Sequence, residues 1–188
     1  AHLESLLATA HSARRRIVVT ESVFAMDGDL APLRDLVAVA QHYEASLVVD
    51  EAHATGIFGS NGGGLVEALE LGDVIDVQVG TLSKAVGAFG GYVAGSQELI
   101  DTIVNDARPF VYTTALPPSI AAAAHAAIKL ITQEPDRRVR LWSHAAFLRS
   151  QLSQAGFQVS PGKSPILPVI IGAAATAVEM SDALLNSG

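Results

Sequence analysis

The sequence predicts an α/β fold, a mostly parallel sheet with flanking helices followed by part of a smaller C-terminal α/β lobe. Three observations carry this expectation. Short apolar runs, Ile17 to Thr20, Leu47 to Asp50 and Val74 to Val79, are separated by helical patterns. Ile17 to Val19 and Leu47 to Val49 are continuously apolar rather than alternating, as in parallel strands buried on both faces. From Pro117 onward the chain becomes helix-rich and is interrupted by prolines.

The elements follow in order. Leu3, Leu6, Leu7 and Ala10 share one helical face, and Ile17 to Thr20 reads as the first strand. Pro32 suits a first helical turn, and a helix to about Glu44 places Leu33, Leu36, Val37 and Ala40 inward. Leu47 to Asp50 is the second strand, Leu65 to Leu71 a helix, and Val74 to Val79 the third strand. Tyr92 to Ala94 is a short fourth strand, and Ser96 caps a helix through Ala107. Pro117 and Pro118 open an Ala-rich helix, broken by Glu134-Pro135-Asp136 before another that ends near Ala155. Gly156 and the pair Pro161-Gly162 then punctuate short strands, including Ile166 to Ile171, and a last helix starts near Ala174. This organisation places residues 1–118 in a large domain and residues 119–188 in linking helices and part of a small one.

Composition excludes several functions. The 188 residues carry a formal net charge of -7, and the one basic run, Arg14-Arg15-Arg16, precedes an apolar strand, so nucleic acid is not an expected partner. Without cysteine there is no disulfide framework, thiolate metal site or thiol nucleophile, which suits a cytoplasmic location. The longest apolar stretch, Ala115 to Ile131, is interrupted by prolines, His125 and Lys129, and no membrane partner is expected.

Lysine is scarce, and two of the three have ordinary settings: Lys129 in an Ala-rich helix and Lys163 beside turn residues. Lys84 follows a strand and Thr81-Leu82-Ser83, and precedes the small-residue run Ala85 to Gly91. An amine so placed can form a Schiff base with a cofactor aldehyde while hydroxyls and backbone N–H groups bind a phosphate. Asp50, at another strand end, can pair with a protonated pyridine nitrogen. His53 can turn toward the same crevice, which in parallel sheets lies beyond the carboxyl ends of the strands. Two other readings compete for Asp50-Glu51-Ala52-His53. Glu51 and His53 could ligate a metal, but no second ligand cluster accompanies them. A DEAH-type nucleoside-triphosphatase needs a GxxxxGK[ST] phosphate loop, which these residues lack.

Four blocks occur in the order found in α-oxoamine synthases: Val19 to Leu33, Val49 to Gly56, Gly80 to Lys84, and Tyr112 to Pro118. Ser164 to Ile170 also resembles the C-terminal lobe of that family. The resemblance implies fold type I, the aspartate-aminotransferase-like fold of pyridoxal-phosphate transferases. It implies pyridoxal 5'-phosphate on Lys84, with Asp50 as pyridinium partner, His53 on the phenolic oxygen and Thr81 on the phosphate. Glu21 matches a carboxylate near the substrate. Thr113 and Thr114 match the segment that reaches the partner subunit's phosphate, so a homodimer with shared active sites is implied.

The implied reaction is a decarboxylative condensation of an amino acid with an acyl thioester. Within the family, the motifs are most similar to the member that joins L-alanine to a pimeloyl thioester in biotin synthesis, with the glycine-and-acetyl-CoA member as the alternative. Some family subunits lack the lysine and act as scaffolds, a role that Lys84 opposes. Ala25 stands where several members carry serine. The stacking histidine of the family belongs before residue 1 and its substrate-carboxylate arginine after residue 188, which implies the central portion of a longer enzyme.

Overall fold

A computed structural model describes residues 2–160 and 162–188. The chain begins with α1 (His2–Thr9) and β1 (Ile17–Glu21), followed by α2 (Leu33–His42) and β2 (Ser46–Asp50). Next come α3 (Leu65–Ala68), β3 (Val77–Thr81) and β4 (Gly91–Gly95). Helices α4 (Gln97–Asp106), α5 (Arg108–Val111), α6 (Pro118–Gln133), α7 (Asp136–Gln154) and α8 (Ala174–Ser187) complete it. Ser96 caps α4 through a 3.3 Å hydrogen bond from the Leu99 N–H to its hydroxyl.

The sheet order is β1-β2-β3-β4, with β1, β2 and β3 parallel and β4 antiparallel to β3. Register places Glu21 beside Asp50 and Asp50 beside Val79, so the carboxyl ends of the three parallel strands form one edge. The core lies on one side of this sheet. Val18, Leu47 and Val49 project into it and meet Leu7 of α1, Leu33, Val37 and Ala40 of α2, and Leu65 and Val66 of α3.

The second sheet face is covered in part: Ile100, Ile103 and Val104 of α4 line one cavity with Val79 and Val93, whereas the β1 end of that face is open. Ile17 and Val19 alternate with Val18 and are 61% and 69% exposed. Helices α1, α2 and α3 supply buried residues to one face only. The accessible surface is 12330 Å², against about 8,500 Å² for a compact monomer of this mass.

Three local expectations also shift. The third strand starts at Val77 rather than Val74, because the Val74 and Ile75 N–H groups both donate to the Leu71 carbonyl, and Ile75 enters the core from that turn. The helix expected to reach Leu71 ends at Ala68, with Glu70 at φ 57°. Ile166 to Ile171 forms no strand; a single antiparallel bridge joins Val159 to Val169. Pro165 and Pro168 have no N–H to donate, so this run cannot sustain a ladder. Pro161, half of the expected Pro161-Gly162 turn, lies outside the described residues. Among the described residues, no helix is long and apolar enough to cross a membrane.

Candidate active site

The site grows from the carboxyl edge of the parallel strands. β1 ends at Glu21 and β2 at Asp50, and these two half-buried residues are direct neighbours in the ladder. Asp50 Oδ1 accepts a 2.7 Å bond from the Ala52 N–H, which turns the chain sharply after the strand. His53 sits in that turn, half-buried.

β3 ends at Thr81, whose hydroxyl lies 2.7 Å from the Ser83 hydroxyl and accepts the Ser83 N–H at 3.1 Å. Thr81 also donates to the Gly90 carbonyl at 3.2 Å. The segment between them folds back on itself: Leu82 N–H donates to Gly90 O, Ala88 N–H to Leu82 O, and Gly87 N–H to Lys84 O. Gly87, at φ 65°, takes the left-handed conformation that this reversal requires. Lys84 stands exposed on the loop, and among the described residues its amine has no hydrogen bond or ion pair.

The structure thus brings Glu21, Asp50, His53, Thr81 and Lys84 to the ends of three adjacent parallel strands. It does not tie Thr113 and Thr114 to them. Both are exposed in the segment between α5 and α6, held by a bond from the Thr113 N–H to the Phe110 carbonyl.

Two features have little signal in the sequence. Glu51 is fully buried and accepts from Ser22 Oγ at 2.9 Å, Leu65 N–H at 2.9 Å and Val66 N–H at 2.7 Å. Burial pushes its carboxyl above the ordinary glutamate value, the three hydrogen bonds pull it back, and the charge of Asp50 adds to the rise. The carboxylate is therefore committed to protein donors rather than to a metal, and no metal-binding group of three His, Asp or Glu side chains occurs among the described residues. Tyr92 of β4 is the second feature, its hydroxyl 2.6 Å from that of Thr55. Burial raises the phenol, an effect opposed by the Thr55 bond.

A mostly parallel sheet with flanking helices, an exposed amine on the small-residue loop after β3 and a carboxylate at the end of β2 agree with a fold type I transferase, the class the similar structures share. The chain belongs to the class I and II aminotransferase family, whose model matches residues 1–188. It is 50% identical over 186 residues to an 8-amino-7-oxononanoate synthase of Anaeromyxobacter dehalogenans, covering 99% of this chain and 46% of that protein. An enzyme of the same name from Bacillus subtilis is 43% identical, with 99% of this chain and 47% of the relative covered.

Among solved structures, a serine palmitoyltransferase from S. paucimobilis with a bound PLP-myriocin aldimine superposes with a TM-score of 0.94 at 38% identity, covering 99% of this chain and 49% of that one. An 8-amino-7-oxononanoate synthase from Francisella tularensis gives 0.83 at 28% identity, covering 98% and 54%. The chain spans about half the length of the curated relatives it matches. These relatives are α-oxoamine synthases, and the family assignment leaves the DEAH-type reading without support.

Proposed function

We propose that the full-length protein condenses L-alanine with a pimeloyl thioester, releasing carbon dioxide and the free thiol, to give 8-amino-7-oxononanoate for biotin synthesis. The observation that carries this reading is the meeting of Asp50, Thr81 and the unpaired Lys84 at one sheet edge, in a chain 50% identical to an enzyme of that name. These residues suit pyridoxal 5'-phosphate: an accessible amine, a carboxylate with one oxygen bonded only to Ala52 N–H, and paired hydroxyls beside a small-residue loop. Bound there, the cofactor would supply an electron sink for negative charge at the α-carbon of the amino acid.

The roles of the chain's own residues follow. Lys84 holds the cofactor and, once free, moves the proton at the α-carbon. Asp50 keeps the ring nitrogen protonated, since a carboxylate favours a neighbouring cation. His53 contacts the phenolic oxygen, Thr81 binds phosphate, and Glu21 lies beside the substrate. Thr113 and Thr114 reach the phosphate of the partner subunit in a homodimer. Residues 1–118 belong to the large cofactor-binding domain, and residues 119–188 link to and begin the small one.

The closer superposition on serine palmitoyltransferase, 0.94 against 0.83, favours a second reading in which the same machinery takes another amino acid and acyl chain. One experiment separates them. Full-length protein is reduced with borohydride for peptide mass spectrometry, then offered alanine, glycine and serine against acetyl, succinyl, pimeloyl and palmitoyl thioesters. A pyridoxyl group on Lys84 and preferred turnover of alanine with the pimeloyl donor are expected. Another preferred pair would keep the reaction class and replace the substrates. An adduct elsewhere rejects the Lys84 assignment, and cofactor binding with no turnover of any pair favours a scaffold.

A further inference from the structure

We infer that Glu51, held by Ser22, is a positioning residue that fixes Asp50 and His53 for the cofactor, an inference that rests on the function proposed above. Neighbouring side chains of a strand project to opposite sides. At the end of β2, Asp50 is half-buried at the site, whereas Glu51 is fully buried on the other side. Glu51 therefore acts as an inward peg that sets the rotation of the strand end, and with it the direction of Asp50.

The peg joins all three segments that meet there. Ser22, also fully buried, donates its N–H to the Asp50 carbonyl and its hydroxyl to Glu51, both at 2.9 Å, which clamps the residue after Glu21 onto the turn. The Glu51 N–H donates to Val79 O of β3 at 2.7 Å. Its carbonyl accepts the Ala54 and Thr55 N–H groups, closing the turn that contains His53. Leu65 and Val66 N–H groups at the start of α3 complete the carboxylate's partners. A side chain at Gly64 would place its Cβ 2.5 Å from Glu51 Oε2, so that space is reserved for the carboxylate.

Desolvating a carboxylate is costly, and an apolar residue would close a turn without that cost. All three side-chain partners are donors. Glutamine offers one oxygen, and its amide NH₂ would be set against an N–H or O–H donor.

The test uses full-length protein carrying Glu51→Gln, Ser22→Ala or, as a packing control in the core of α2, Val37→Ala. Amide hydrogen exchange over residues 50–55 of the cofactor-free protein is measured first. Pyridoxal phosphate affinity, the pH midpoint of the bound cofactor's visible absorption and the thermal midpoint follow. Glu51→Gln and Ser22→Ala should speed exchange across 50–55, weaken cofactor affinity about tenfold, the equivalent of one lost polar contact, and move the pH midpoint. Val37→Ala should lower the thermal midpoint and move neither affinity nor pH midpoint. Wild-type behaviour of Glu51→Gln, or affinity lost in all three variants only in proportion to thermal stability, overturns the inference. If Glu51→Gln does not fold, Ser22→Ala decides by the same criteria. Failure of the functional reading looks different: wild-type protein that does not bind pyridoxal phosphate overturns that reading and this inference with it.

Discussion

Residues 7–75 and residues 118–188 are both rich in apolar side chains, but only the first region buries them extensively. The core cluster is drawn from Leu7 through Ile75, and from the C-terminal region only Ile166 packs against it among the described residues. Across α6 and α7 the buried residues are Ala124, Arg138 and Ala145, and α8 has none. Val178, Leu184 and Leu185 of α8 are 60%, 62% and 80% exposed. Similar composition thus supports two kinds of cohesion. The sheet region is held by burial, whereas the Ala-rich α6 and α8 rest mainly on local helix propensity. The candidate site residues Glu21, Asp50, His53 and Thr81 sit on or beside the buried region, where their backbone is best fixed.

Two truncations should separate the regions most strongly. Leu47→Ala, at 1% exposure in β2, should cost about 2–5 kcal/mol of unfolding free energy. Leu185→Ala in α8 should change it by about 0.5 kcal/mol or less. Urea denaturation of the two variants beside wild type checks both, and equal losses would show that burial does not divide the molecule.

Helix α7 joins the two regions. Arg138 of α7 is buried and donates to the carbonyls of Ile131 and Ser60, while Trp142 Nε1 donates to Ile57 O at 3.3 Å. Arg138→Met keeps much of the side-chain volume but leaves those carbonyls without their donors, at about 1–3 kcal/mol. Limited proteolysis should cut near residues 57–62 faster in the variant, and an unchanged pattern would mean that α7 docks without the arginine.

The smallest expected effect concerns pH. The folded state holds the Glu51 proton more tightly than the unfolded chain, because burial raises that carboxyl. Its stabilising contribution is full below the unfolded value of 4.5 and is lost as pH rises through the raised folded value. The stability advantage of wild type over Glu51→Gln should therefore shrink with rising pH across that window. Thermal midpoints taken at a series of pH values would show it, and a constant difference would refute the linkage.

Much of the fold was legible because its determinants are local. Helical periodicity located α1 and α2, Pro32 and Ser96 marked the starts of α2 and α4, and continuous apolar runs located β1 and β2. The run Val74 to Val79 misled at its start because apolar residues enter this core from a turn as well as from a strand. Of the candidate site, the strand-end positions of Lys84 and Asp50 were legible from residue type and the apolar runs before them. The Ser22–Glu51 contact was not, since Glu51 looks the same in sequence whether it faces a metal, solvent or a helix end.

The sequence by itself determined the order of elements, the family, and which amine and carboxylate stand at strand ends, because each depends on neighbours a few residues apart. Only the tertiary structure decided the antiparallel entry of β4, the single bridge in place of a strand near Val169, the open sheet face at Ile17 and Val19, and the burial of Glu51. Each of these is settled by which distant segments pair and pack, and no local window of sequence records that pairing.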